Sequence, residues 1–264
     1  MATTAAADGA VLAYEVIGDG EPGPGETFVL VHGITQSGAA WDPVVGLLAP
    51  IGPVITVDLR GHGASERRPP YDVFTMASDL GAVLRAVDVD DALVIGHSLG
   101  GMVVSAYAAA GYPARGIVNV DQPLETGGFK DVLVTIEPLL RGTKQEFDGV
   151  VEQMFALLDG PLPPSEHARL ETVSSPEQDV VLGVWDVVLS MSADDLAALT
   201  DGLARAITLP YLALHGTDVP GYEEWLTSRL ANATYETWPD HGHYPHLIDP
   251  DRFVARIEAF DGEL

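Results

Sequence analysis

Residues 96–101 read Gly96-His97-Ser98-Leu99-Gly100-Gly101, a serine set where two patterns meet. Ahead of it, Ala92-Leu93-Val94-Ile95 is a short apolar run, the mark of a buried strand. Behind it, residues 101–110 read as a small-residue helix stopped by Gly111 and Pro113. A serine on a strand-to-helix corner flanked by glycines is a nucleophile elbow. Side chains on both sides would crowd so sharp a turn, which is why glycine stands there. The corner lifts the Ser98 hydroxyl above the sheet, and free N–H groups at the helix N-terminus face any negative charge that develops beside it.

Serine is a weak nucleophile until a base takes its proton. The base expected is a histidine held in one tautomer by a carboxylate. With this elbow the chain order is serine, acid, histidine, so both partners must come from later strand ends. His241, His243 and His246 compete for the base. His241 stands one residue too close to the preceding strand, and His246 falls just after Pro245, near the start of a helical stretch. His243 follows Gly242 on the loop between them and is the choice. The His-x-His-x-x-His run also suggests zinc, but no second His/Asp cluster completes such a site, so no metal is assigned. For the acid, Asp218 follows the strand at Leu212–His215 and is preferred. Asp121, after the strand at Ile117–Val120, is the rival; its alternative role is a strand-end cap bonding loop N–H groups. Asp240 is too near His243 in sequence to reach its ring. An oxyanion hole needs two aimed backbone N–H groups. Leu99, next after the nucleophile, supplies one, and Ile34, in the turn His32-Gly33-Ile34, supplies the other.

The elements that must hold these residues alternate along the chain. Val11–Ile17 alternates loosely after an Asp8-Gly9 turn signal, so the first 17 residues predict a hairpin. A Pro/Gly loop covers 21–26. Strands are predicted at Phe28–His32 and Val54–Asp58, a helix over Trp41–Leu48, and another over Thr75–Val87 with Thr75 as its cap. Near-continuous apolar strands alternating with helices argue for an α/β fold with a mostly parallel sheet covered on both faces. Between 124 and 209 the rhythm changes to amphipathic helical segments broken by Pro161, Pro163, Pro164 and Pro176. This stretch reads as a helical cap inserted into a core of residues 1–123 and 210–264. Alternation resumes with a strand at Tyr211–His215, a helix at Tyr222–Leu230, a strand at Thr234–Trp238 and a last helix at Pro250–Phe260.

Composition narrows the chemistry. The 264 residues carry a formal charge of −26 and are 47% hydrophobic. That suffices for one large core with an inserted lid. Lys130 and Lys144 are the sole lysines, and no cysteine occurs, so thiol nucleophiles, disulfides and thiolate zinc sites are excluded. So acidic a surface makes nucleic acid and anionic membranes poor partners. The first residues have neither a basic segment nor a long apolar one, so a cytoplasmic location is expected.

Taken together, these residues resemble the alpha/beta hydrolase family. His32-Gly33 with Trp41, then Asp58-Leu59-Arg60-Gly61-His62-Gly63-Ala64-Ser65, the Ser98 elbow, Gly242-His243-Tyr244-Pro245 and Asp249-Pro250 match its landmarks in order. The resemblance covers nearly everything but the cap. It implies an eight-stranded, mostly parallel sheet, Ser98 as nucleophile, His243 as base, and Ile34 and Leu99 as oxyanion donors. The segment 58–65 is expected to be an arginine-anchored structural turn. Relatives commonly place one residue more between the glycine and the acid than His215-Gly216-Thr217-Asp218 does, which keeps Asp121 in contention. Epoxide hydrolases and dehalogenases of this fold carry aspartate at the elbow, so serine disfavours those activities. The resemblance implies a cofactor-free serine hydrolase working through an acyl-enzyme, and an apolar pocket under an acidic surface points to a small uncharged carboxylic ester or lactone as its substrate. Its alternatives are perhydrolase (haloperoxidase-like) or carbon–carbon bond hydrolysis, and, from another class, a ligand sensor that retains the triad. His32, Gly33, Phe129, Met154 and Trp185 are the candidate pocket residues, joined in the cap by Phe155, Leu157, Leu158 and Met191. At helical spacing such side chains also serve to pack a cap onto its core.

Overall fold

Apolar strands that must be buried on both faces set the architecture. The computed structural model describes residues 1–18, 22–23 and 27–264; the Pro/Gly loop expected over 21–26 lies outside the described residues except for 22 and 23. Eight strands form one sheet: β1 (Ala2–Ala5), β2 (Val11–Ile17), β3 (Phe28–Val31), β4 (Val54–Val57), β5 (Leu93–His97), β6 (Gly116–Val120), β7 (Tyr211–His215) and β8 (Ala233–Thr237). Their order is β1-β2-β4-β3-β5-β6-β7-β8. The β1–β2 hairpin pairs antiparallel with Ala2 opposite Tyr14, and β2 joins β4 antiparallel. All pairings from β4 to β8 are parallel.

Strand side chains alternate between the two faces. Val29, Val31, Ile55, Val57 and Val94 meet α2 (Val73–Ala86) and α3 (Leu99–Ala109) on one side. On the other, Phe28, Leu30, Val54, Leu93 and Ile95 meet Val44 and Leu48 of α1 (Asp42–Leu48) and Phe253, Ile257 and Phe260 of the last helix, Pro250–Asp261. Both faces being dry, the strands need no polar alternation. The cap of α2 is not Thr75. Asp72 takes that place, its carboxylate accepting from the Phe74 and Thr75 N–H groups, because a carboxylate one turn earlier reaches the free amides that Thr75 itself contributes.

Five helices occupy the interval between β6 and β7: α4 (Gly127–Leu140), α5 (Lys144–Leu158), α6 (Pro164–Thr172), α7 (Gln178–Ser190) and α8 (Ala193–Ala206). α4 packs on α5 and α7, whereas α8 packs along α3 beside the sheet. The segment 58–65 is held as a turn. Arg60, 1% exposed, pairs with both Asp79 oxygens at 2.7 and 2.8 Å and with Asp8 at 2.7 Å, tying the hairpin turn to α2. Among the described residues no helix is long and apolar enough to cross a membrane.

Candidate active site

Ser98 stands between β5 and α3 with φ 52° and ψ −121°, a backbone conformation that side chains resist. Two neighbours allow it. A Cβ on Gly96 would collide with the Gly100 carbonyl, and one on Gly100 with the Val31 carbonyl, so helix and strand meet closer than any other residue permits. The turn at 32–34 passes just above: a Cβ on Gly33 would lie 3.3 Å from Ser98 Cβ and 3.2 Å from His97 Nδ1. Among the described residues, neither the Ile34 nor the Leu99 N–H group donates a hydrogen bond.

His243 reaches the site on the loop after β8. Gly242, at φ 55°, turns the chain, and the His241 and Gly242 N–H groups both donate to the Gly216 carbonyl beyond β7. His97 Nε2 donates to the His243 carbonyl at 2.8 Å, and the two rings lie 4.6 Å apart. The base-candidate loop is thus bonded to the residue that precedes Ser98. The described hydrogen bonds include none between Ser98 Oγ and the ring, a contact that in unliganded sites tightens on substrate binding.

The carboxylate that meets this ring belongs to Asp121. Its Oδ2 accepts from His243 Nδ1 at 2.7 Å, and its Oδ1 accepts from the Gly216 N–H at 2.9 Å. A proton on Nδ1 leaves Nε2 as the free base. Burial raises the Asp121 carboxyl, but its bond to His243, the charges of His243 and His215, and the Gly216 bond outweigh it and hold it below the usual carboxylate range. The preference for Asp218 is corrected here. Asp218 is exposed and makes no hydrogen bond to His243, because the chain has already turned to solvent two residues past Gly216. β6 and β7 are neighbours, so both strand ends open onto the same site, and sequence order alone does not choose between them.

The competing histidines go elsewhere. His241 packs edge-on against Trp238 with Nδ1 near the Pro239 carbonyl. His246 is buried between the Trp41 and His97 rings, 4.5 Å from each. Among the pocket candidates, His32 is corrected: it is fully buried, its Nε2 accepts from the Leu59 N–H, and its Nδ1–H donates to the Gly33 carbonyl. Its ring braces the turn rather than lining a pocket. Gly33 lies against the elbow, as its close approach to Ser98 requires. Trp185 is buried with Phe129 edge-on at 5.7 Å, and Met154 packs against the core. The Leu158 carbonyl, at the end of α5, accepts from the His243 N–H. Sequence reasoning missed His215. It is buried behind the acid with Nδ1 3.7 Å from Asp121 Oδ1 and neither ring nitrogen hydrogen-bonded. Its position directly before Gly216 is the signal that was there to be read.

Buried imidazoles make this region sensitive to acid. Burial pushes His32 and His215 down to about 4, and His62 and His246 down to about 3. Unfolded, each returns to about 6.5. Below that pH the unfolded chain binds protons that the folded chain refuses, so stability is full above it and declines toward the folded values. Each histidine contributes up to about 1.4 kcal/mol per pH unit to that decline. Urea unfolding midpoints are expected to be level from pH 8 to 7 and to drop steeply between 6.5 and 4.5. A level profile through that window would contradict the neutral, buried assignment.

Residues 28–256 match the profile of the alpha/beta hydrolase family. A non-heme chloroperoxidase of Burkholderia pyrrocinia is 30% identical over 273 residues, covering 92% of this chain and 94% of that protein. A 2-(acetamidomethylene)succinate hydrolase of Mesorhizobium japonicum is 29% identical, covering 91% of this chain and 89% of that one. Among solved structures, the esterase RhEst1 of a Rhodococcus species superposes with a TM-score of 0.76 at 28% identity, covering 100% of this chain and 98% of that one.

Proposed function

Starting from a chain that belongs to the alpha/beta hydrolase family, we propose a serine hydrolase that cleaves a small, uncharged carboxylic ester or lactone. The observation that carries this reading is the Asp121–His243 bond, on a loop tied to the residue before a serine held at positive φ. Ser98 Oγ attacks the carbonyl carbon while His243 Nε2 takes its proton. The Ile34 and Leu99 N–H groups receive the oxyanion. The collapsing intermediate expels the alkoxide, which takes the proton from His243, leaving an acyl-enzyme. Water, deprotonated by the same nitrogen, then releases the acid and restores Ser98. Asp121 stays ionised throughout and stabilises the imidazolium.

Helices α4 to α7 form the cap in this reading, and α8 counts with the core because it packs along α3. The Leu158 carbonyl accepts from the His243 N–H, and Leu157 and Leu158 are exposed apolar side chains at that end of the cap. The acidic surface favours uncharged substrates over anions. Relatives named as chloroperoxidases favour one second reading, in which hydrogen peroxide replaces water at the acyl-enzyme and releases a peracid.

The test is a panel of p-nitrophenyl esters of rising chain length, with fluorophosphonate labelling located by mass spectrometry. Turnover with short esters and label on Ser98 are expected. No label on Ser98 would refute the mechanism. Labelling without turnover of any ester would instead favour a ligand-binding role.

A further inference from the structure

The oxyanion turn is gripped by the inserted helices, not only by the core that bears Ser98. Thr35, directly after Ile34, sits at φ 66°. A β-branched residue pays about 1–3 kcal/mol for that conformation and keeps it only where surrounding contacts over-determine it. Three sets of contacts do so. From the core, Asp58 Oδ1 accepts from the Gly38 N–H at 2.7 Å. From within the loop, Gln36 Oε1 accepts from the Gly33 N–H, and the Gln36 amide reaches the Tyr244 hydroxyl at 3.5 Å. The third set comes from residues 169–175, at the end of α6 and just beyond it. The Ser175 N–H donates to the Thr35 carbonyl at 2.7 Å, and Ser37 Oγ donates to the Val173 carbonyl at 3.3 Å. Arg169 donates through Nη1 to the Ala39 carbonyl at 2.8 Å and through Nη2 to the Ala40 carbonyl at 2.9 Å. Its Nε bonds Glu166 at 2.8 Å, so the guanidinium plane is fixed on both sides.

We infer that Arg169, with the Ser175 backbone, is a positioning residue for the Ile34 N–H, so that the oxyanion hole is complete only when this part of the cap is seated on the 33–40 loop. The inference rests on the serine-hydrolase reading. Its physical content is simple. The two carbonyls and the Thr35 carbonyl are the loop's outward handles, and the cap supplies the donors that hold them. Without those donors Thr35 is free to leave its strained state, and the N–H one residue earlier swings with it. A shift of a few tenths of an ångström at such a donor weakens stabilisation of the tetrahedral state while leaving ester binding nearly unchanged.

The experiment compares the full chain with Arg169→Ala, Arg169→Lys and Ser175→Pro. The last removes the N–H donor to Thr35, together with the exposed Ser175 Oγ bond to Glu177, and fixes φ at that position. Arg141→Ala serves as the control, since it breaks exposed pairs to Glu137 and Asp186 within the cap without touching the loop. Kinetics on p-nitrophenyl acetate, melting temperature and hydrogen exchange over 33–40 are read for each. Arg169→Ala and Ser175→Pro are expected to lower kcat about 10-fold at a KM within 2-fold, with faster exchange in the loop, a fraction of the 10²–10³ that loss of a whole oxyanion donor costs. Arg169→Lys, able to hold one carbonyl, should fall between them and the parent. Arg141→Ala should keep the parent kcat. An unchanged kcat in both loop variants, or an equal fall in Arg141→Ala, would overturn the inference while leaving the serine mechanism intact. A parent protein that neither turns over esters nor labels at Ser98 would remove both.

Discussion

Ser98→Ala is expected to lower ester turnover by about 10⁶-fold with the fold unchanged. The loss is large because the remaining parts, an oxyanion hole and an oriented imidazole, have nothing to attack with. The residual rate would come from water bound in the same place. Alanine keeps a Cβ at φ 52° and ψ −121°, so the backbone strain stays and the melting temperature should scarcely move. Ser98→Gly separates strain from chemistry. It should be as inactive as the alanine variant yet more stable by about 1 kcal/mol, since glycine accepts that backbone without cost. Steady-state kinetics and thermal melts of the two variants side by side check both halves. A glycine variant no more stable than alanine would mean that the elbow holds no strain; an active alanine variant would mean that Ser98 is not the nucleophile.

Asp121→Asn is expected to cost about 10⁴-fold in kcat, and Asp218→Asn less than 2-fold. The contrast follows from geometry. Asp121 Oδ2 accepts the Nδ1 proton at 2.7 Å, which sets the tautomer with Nε2 free. An asparagine amide in that place donates instead, moving the ring proton to Nε2, where it blocks the base. The charge that stabilises the imidazolium is lost as well. Asp218, exposed after β7, does neither job. A large loss in Asp218→Asn with an active Asp121→Asn would reverse the assignment, and kinetics of the pair decide it.

The hairpin and the parallel strands were legible because each obeys a local rule, whereas the arginine-anchored turn at 58–65 was an expectation of the family resemblance, since Arg60 finds its partners Asp79 and Asp8 far along the chain. Strands buried on both faces must be apolar. The Ser98 corner was legible from its glycines, since glycine at 96 and 100 is required by close backbone approach and glycine at 101 by the Asn119 and Gln122 side chains. Thr75 failed as the cap of α2 because Asp72 and Thr75 are both good capping residues, and which one sits outside the first turn depends on how the preceding loop arrives. The pocket role given to His32 failed because a polar residue at a strand end reads alike whether it faces substrate or, as here, bonds two backbone groups.

Read alone, the order of residues determined the fold class, the serine on its bend and the histidine past the last strand, since these follow from periodicity and from turns that only glycine permits. Only the folded chain decided which carboxylate stands behind the ring, that His215 backs it, and that Arg169 and Ser175 hold the loop before the elbow. Those are contacts between segments about a hundred residues apart, set by which strand ends lie side by side and where the inserted helices settle, and neither quantity is written in any local window of the chain.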